Sequence, residues 1–352
     1  MQFGLLTTKI DEIGLITRAE NLGYDFCWIS DSPLIRSNPW AVMALAAHQT
    51  QTIRLGTGLA IPGLRLAPVA ANGIATINRL APGRTFLGVG TGNTAMRTMG
   101  QKPATIKAFA EYIRVVRALI RGEEADYTLD GITHPIRMQN LELRYVDVEH
   151  DIPIHVGGFG PRAQALAGEL GDGLISGIPR GGSIPQALAN AKKGADKAGR
   201  TLDNFEMTVL ANLVMLEPGE TLDSQRVVAE CGSSIMANVH YLVDWVKETG
   251  NAPPDYVMPI WDEYMAFHQS RDADRAHQQL HASHYSYLDP DEARFVTPEM
   301  IRTFCIAGQP DEIIERLHEL EAEGLNAINF SFPLERQYRM IEDFATRVIH
   351  RM

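Results

Sequence analysis

A (β/α)8 barrel, the TIM-barrel form of the α/β class, is the fold this sequence predicts, with insertion segments in its late βα connections. Three observations lead there: eight short apolar runs, amphipathic helical segments between them, and glycine-rich ends on several of the runs. The runs are 2–6, 25–30, 53–61, 84–88, 152–157, 173–176, 206–216 and 326–332, and eight is the number that closes a barrel. Helical spacing follows them, as in Ile13, Ile16, Ala19 and Leu22, or Ile106, Phe109, Ile113, Val116 and Ile120. Turn signals mark the return to each strand at Leu22-Gly23, Pro82-Gly83, Gly171-Asp172-Gly173 and Glu323-Gly324. Residues 334–352 form an amphipathic last helix. One domain over residues 1–352 is expected, with insertions near 122–151, where a small hairpin fits, and near 250–296. The connection from 217 to 325 is far longer than a βα unit needs, even with helices near 233–249 and 310–323. Its middle holds Trp261, Tyr264, Phe267, His268, His281, His284, Tyr285 and Tyr287, an aromatic content that favours a substrate-covering segment over disorder.

Composition narrows the class. The 352 residues are 45% hydrophobic and 21% charged, with a formal net charge of −11 and no basic stripe, so nucleic acid has no electrostatic footing. No run approaches the roughly 18 apolar residues of a membrane span, and the amino terminus has no export signal, which reads as cytoplasmic with no membrane partner. Cys27, Cys231 and Cys305 are far apart in sequence and form no CxxC pair, so neither a disulfide framework nor a zinc site is expected.

The chemistry sits at strand ends. Gly157-Gly158-Phe159-Gly160-Pro161 ends a strand and opens a helix, placing free N–H groups where an anion can approach closely. It is not the dinucleotide fingerprint, whose spacing is GxGxxG. The next strand ends in Gly177-Ile178-Pro179-Arg180-Gly181, and late barrel loops commonly build a phosphate site. Arg180 offers a charge-assisted contact there or is a solvated loop cation. Gly88-Val89-Gly90-Thr91-Gly92-Asn93 ends the fourth run; it leaves room for a flat ring, with Thr91 and Asn93 as hydrogen-bonding groups, or is simply a bulged strand end.

The ordered set Trp28-Ile29-Ser30-Asp31, Leu55-Gly56-Thr57-Gly58, Leu87 to Gly92, Gly157 to Pro161 with Leu166 to Gly173, and Phe304 to Ile313 resembles the bacterial luciferase-like superfamily over nearly the whole chain. The branch it is most similar to is that of methylenetetrahydromethanopterin reductase and other F420-dependent enzymes. The resemblance implies reduced FMN, or alternatively coenzyme F420, lying across the strand C-termini. Asp31, Thr91, Gly92 and Asn93 would flank the ring. Gly157, Gly158, Gly160 and Gly177 would hold the phosphate end, with Phe159, Ile178 and Arg180 in the same loops. Gly58, Ala60 and Ile61 would lie behind the ring, with a non-prolyl cis peptide around Leu59-Ala60-Ile61. The sugar-phosphate dehydrogenases of this superfamily place a His and a Glu where this chain has Ser32 and Asn93, which disfavours alcohol oxidation by that route.

Among the histidines, His155 reads as a core residue, His48 as structural, and His284 as the candidate acid or base. The expected activity is a flavin-dependent oxidoreductase, first as a monooxygenase using reduced FMN and oxygen on a small organic substrate, with a separate flavin reductase as supplier. The alternatives are F420-dependent hydride transfer and a non-catalytic flavin-binding protein. A metal-dependent hydrolase lacks its ligands, so no metal is expected. Resemblance also implies a homodimer.

Overall fold

The computed structural model describes residues 1–178, 182–272 and 274–352. In chain order its strands and helices are β1 (Gln2–Thr7), α1 (Ile13–Asn21), β2 (Phe26–Ile29), α2 (Pro39–Gln49), β3 (Arg54–Thr57), α3 (Ala67–Leu80), β4 (Thr85–Val89), α4 (Asn93–Thr98) and α5 (Ile106–Ile120). There follow the hairpin β5 (Ala125–Leu129) and β6 (Ile132–Ile136), then β7 (Ile154–Gly157), α6 (Pro161–Leu170), β8 (Gly173–Gly177), α7 (Ile184–Lys197) and β9 (Glu206–Met215). The chain ends with α8 (Gln225–Thr249), α9 (Met258–Gln269), α10 (Ala276–Gln279), α11 (Pro298–Phe304), β10 (Cys305–Gly308), α12 (Pro310–Ala322), β11 (Ala327–Ser331) and α13 (Gln337–Arg347).

Eight parallel strands close a ring in the order β1, β2, β3, β4, β7, β8, β9, β11 and back to β1. The closing ladder pairs Gly173 to Gly177 with Glu206 to Leu210, while β11 returns to β1 with Ala327 opposite Gln2. All eight expected strands are present. Helix starts follow local chemistry: Asn38, Thr105, Ser183, Ser224 and Thr297 each accept a backbone N–H at an N-cap, and Gln309 with Glu312 forms a capping box at α12. Pro39, Pro161, Pro298 and Pro310 stand at first helical positions, where no N–H is needed.

The barrel interior beneath the cavity is filled by Trp28, Phe86 and His155, whose rings meet edge to face at 4.6 to 5.7 Å, with Trp28 reaching the cavity itself. Outside, α6 and α7 approach most closely at two glycines: a Cβ on Gly194 would lie 1.7 Å from the Ala165 carbonyl oxygen, and one on Gly168 1.8 Å from that of Ala191. The 122–151 connection contains the antiparallel hairpin β5–β6, on the outside of the ring.

The long late connection is not a loop. Residues 225–304 are mostly helical and pack around a second apolar core that includes Val227, Ile235, Val239, Trp261, Tyr264, Phe295 and Ile301. Helix α8 begins at Gln225, eight residues before its expected start. Its stretch Glu230-Cys231-Gly232-Ser233-Ser234 looks polar in sequence, yet every residue in it is buried, with Gly232 giving way to Leu288. Strand β10 was not expected. It pairs with the second half of β9, Asn212 to Met215, after the first half has closed the barrel, and so adds a ninth strand outside the ring. At four residues, three of them partly exposed, it carries no alternation to reveal it. Cys231 and Cys305, distant in sequence, meet in this second core as free thiols.

Candidate active site

Above the C-terminal ends of the strands lies a cavity of about 730 Å³, a size suited to a cofactor together with a small substrate. Barrel loops form one wall: Ser30, Asp31 and Ser32 after β2; Gly58, Leu59 and Ile61 after β3; Gly90 to Ala95 after β4; and Gly157, Phe159 and Gly160 after β7. The facing wall comes from the helical insertion, through Tyr241, Leu242 and Trp245 on α8, Pro254, Tyr256, His284 and Tyr285. The expected covering segment therefore lines the cavity as folded helix and turn.

Close backbone approach shapes the barrel wall. A Cβ on Gly88 would sit 2.1 Å from the Thr57 carbonyl oxygen, and Gly92 holds φ +88° at the start of α4. The Gly58–Leu59 peptide bond is cis, just before the position expected for such a bond. Gly160 opens α6, and a Cβ added there would meet nothing within 4 Å, so the helix start faces open space.

Of the residues singled out in the sequence, Asp31, Gly58, Ile61, Thr91, Gly92, Asn93, Gly157, Phe159, Gly160 and His284 line this one cavity. Ala60, Gly158, Gly177 and Ile178 do not. Ala60 is fixed behind the wall, with its N–H bonded to the Gly88 carbonyl and its own carbonyl to the Gly90 N–H. The Gly158 N–H is spent on the Ile175 carbonyl, and its α-carbon backs onto Ala163 and Gln164 at the start of α6. Gly177 makes room for the Phe159 ring. Arg180 falls outside the described residues. His155 is at the barrel floor, where burial pushes its pKa below the ordinary value, and His48 is exposed on α2.

Asp31 is buried and paired with Arg65, which lies over the Trp40 ring. Desolvation holds its carboxyl above the usual range, against the pull of that guanidinium. The Asn93 side-chain carbonyl accepts from Arg97 Nε, and Arg97 also pairs with Asp244 and Glu248 on α8, tying the insertion to the β4 loop. His284 Nε2 is 3.2 Å from Thr94 Oγ1 and 3.5 Å from the Tyr241 hydroxyl, and those two hydroxyls bond each other. The ring stands edge-on to Tyr285, whose backbone adopts φ +59°, a conformation costly for a bulky residue. Behind it, His281 Nε2 donates to the Asp244 carboxylate at 3.1 Å.

Sequence reasoning missed Arg36, Thr94, Tyr241, Trp245, Tyr256 and Asn329. Thr94 closes the fourth-strand motif, in which Thr91 and Asn93 are the residues whose spacing suggests hydrogen bonds to a ring. Tyr241 and Trp245 belong to a helix whose spacing says which face is apolar but not what that face covers. Asn329 is on β11 and lines the cavity, and its Oδ1 is buried with no partner among the described residues.

A flavin or deazaflavin fits this donor set. Asn329 Oδ1 calls for a ligand N–H, the cavity is broad enough for a three-ring system, and the open start of α6 presents N–H groups to a phosphate. Among the described residues no group of three or more metal-ligating side chains is gathered, and no helix is long and apolar enough to cross a membrane.

Comparison with known proteins gives the same architecture. The chain is 29% identical over 321 residues to 5,10-methylenetetrahydromethanopterin reductase of Archaeoglobus fulgidus, covering 90% of this chain and 87% of that one. It is 30% identical over 353 residues to an F420-dependent glucose-6-phosphate dehydrogenase of Mycolicibacterium fortuitum, covering 94% and 90%. Among solved structures it superposes on the coenzyme F420-dependent tetrahydromethanopterin reductase of Methanopyrus kandleri with a TM-score of 0.69, at 22% identity and 99% coverage of both chains. It also superposes on the oxygenating constituent of 3,6-diketocamphane monooxygenase of Pseudomonas putida, solved with FMN, with a TM-score of 0.64 at 16% identity, covering 100% of this chain and 99% of that one. The luciferase-like monooxygenase family matches residues 7–327, and the chain belongs to that family of oxidoreductases.

Proposed function

We propose that this protein is a coenzyme F420-dependent oxidoreductase that moves a hydride between the deazaflavin and a small organic substrate. The observation that carries the reading is a cavity whose glycine-lined barrel wall, with Thr94 in it, faces His284 and Tyr241 of the insertion, in a chain whose 29–30% identical relatives over most of their length are named for F420 or for methylenetetrahydromethanopterin reduction. When bound, the coenzyme supplies the hydride acceptor or donor.

The chain's own residues bind, orient and shield. The start of α6 at Gly160, with Gly157 and Phe159 beside it, holds the phosphate end. Asp31, Gly92, Asn93 and Asn329 bound the ring end, and Leu59 and Ile61 support it from the barrel side. Trp245, Tyr256 and Tyr285 close the cavity and exclude water. His284 Nε2, with the Thr94 and Tyr241 hydroxyls, exchanges the proton that balances hydride transfer, since an imidazole nitrogen can both hold and release a proton and its partners can relay. Neither Ser32 nor Asn93 carries such a general acid or base.

The test loads purified protein with F420 and, separately, with FMN, and follows each by absorbance anaerobically and then with oxygen. Binding of F420 with substrate-dependent reduction or oxidation and no oxygen uptake supports the proposal. Oxygen consumption with reduced FMN, accelerated by an aldehyde, ketone or thioether, assigns the protein to the monooxygenases instead. Cofactor binding without turnover on any substrate would make it a non-catalytic flavin carrier.

A further inference from the structure

We propose that the substrate is an organic carboxylate whose acid group is received by Arg36 and whose apolar body packs against the helical insertion. The proposal rests on the oxidoreductase reading of the cavity and adds the class of substrate.

Arg36 lies in the loop between β2 and α2 and lines the cavity. Its guanidinium makes two hydrogen bonds, both to main-chain carbonyls: Nη1 donates to Ile35 and Nη2 to His284. Three of its five N–H groups remain. No described carboxylate lies within ion-pair distance, although most of the other arginines in the structure have such a partner. Burial alone pushes its pKa down, to about 10, with no acidic neighbour opposing the shift. At neutral pH it is therefore still a cation, half-buried in the cavity wall with no counter-charge among the described residues. Among the described residues lining the cavity the one carboxyl group, that of Asp31, is already paired with Arg65.

A cation half-buried in a cavity wall with no carboxylate beside it favours an anion that arrives to pair with it. One positive charge matches a singly charged carboxylate, and the planar fork of the guanidinium suits its two oxygens. A phosphate dianion would leave a negative charge unmatched among the described residues. The nearby apolar lining, Leu242, Trp245, Pro254 and Tyr256, calls for a hydrophobic or aromatic body. Because Nη2 also holds the His284 carbonyl, an acid seated on Arg36 lies beside the imidazole that handles the proton.

The experiment titrates cofactor-free full-length protein with benzoate and with benzamide, its neutral counterpart, reading tryptophan fluorescence and the thermal midpoint. The wild type is expected to bind benzoate at least about tenfold more tightly than benzamide, as a charge-assisted bidentate pair requires. Arg36→Gln should remove that preference while leaving benzamide affinity unchanged, and Arg36→Lys should retain part of it. Equal binding of the two probes by the wild type, no binding of benzoate, or a preference that survives in Arg36→Gln would each overturn the proposal. So would a loss of benzoate and benzamide binding together in Arg36→Gln with faster proteolysis of the insertion, since Arg36 would then be only a strut to His284. F420 affinity, measured separately in both variants, reports on the oxidoreductase reading and is expected to stay within about twofold of wild type.

Discussion

The barrel and the helical insertion bury their polar groups in opposite ways. The barrel strands are buried on both faces, and His155 stands inside the barrel among Trp28 and Phe86 with a carboxylate, Glu206, no nearer than 3.7 Å. In the insertion, Glu292 is fully buried and held by His240 at 2.9 Å, Arg271 at 2.8 Å and the Tyr264 hydroxyl at 3.2 Å. These partners draw the Glu292 carboxyl below its usual range despite its burial. The barrel is thus specified by shape and strand register, while the insertion depends on one charged network inside a smaller core. The cavity lies between them, so its two walls answer to different perturbations.

The sharpest way to break the comparison is Gly194→Val. The new side chain meets backbone on α6, which cannot yield, and the barrel should lose about 3 kcal/mol or more. Chemical denaturation should show one early transition; an unchanged midpoint would mean that α6 and α7 are not locked together. Glu292→Gln comes next. Removing one partner of a buried charge network costs about 3 kcal/mol, and here the loss should fall on the insertion, exposing residues 251–296 to protease while the barrel keeps its circular dichroism. Simultaneous collapse of both regions would show that the barrel does not stand without its insertion.

His284→Ala acts on chemistry and not on packing. Turnover should drop by about a hundredfold, within the range for lost general acid–base catalysis, with F420 affinity changed far less. Equal turnover would remove the imidazole from the proton path. The smallest expected effect is a pH dependence. Burial holds both His155 and His240 below the ordinary histidine value, His240 against the pull of Glu292. The unfolded chain therefore binds more protons than the folded one below about pH 6.5, so stability is full above that value and declines on acidification. His155→Gln should flatten the decline by up to about 1.4 kcal/mol per pH unit. A slope identical to wild type would mean that His155 is protonated equally in both states.

Much of the barrel could be read from residues alone because each strand carries its own signal. Runs such as Cys27-Trp28-Ile29 or Leu174-Ile175-Ser176 are buried on both faces of a parallel sheet, and the turn glycines punctuate them. The cavity's barrel wall was legible for the same reason, since it follows strand ends by topology. Gly158 and Gly177 show the limit: a glycine that admits a ligand and one that admits a neighbouring side chain look identical in sequence, and the Phe159 ring decides between them.

The sequence by itself determined the eightfold βα alternation, the glycine-rich strand ends and the family resemblance, because these depend on near neighbours along the chain. Only the tertiary structure decided that the long late segment is a helical wall with its own core, that Tyr241 and His284 meet Thr94 across 147 and 190 residues, and that Arg36 faces the cavity with no acid to match it among the described residues. Those facts concern which distant groups are brought together and which are left without a counterpart. Charge balance in a cavity is a property of the closed fold, and local pattern carries no record of it.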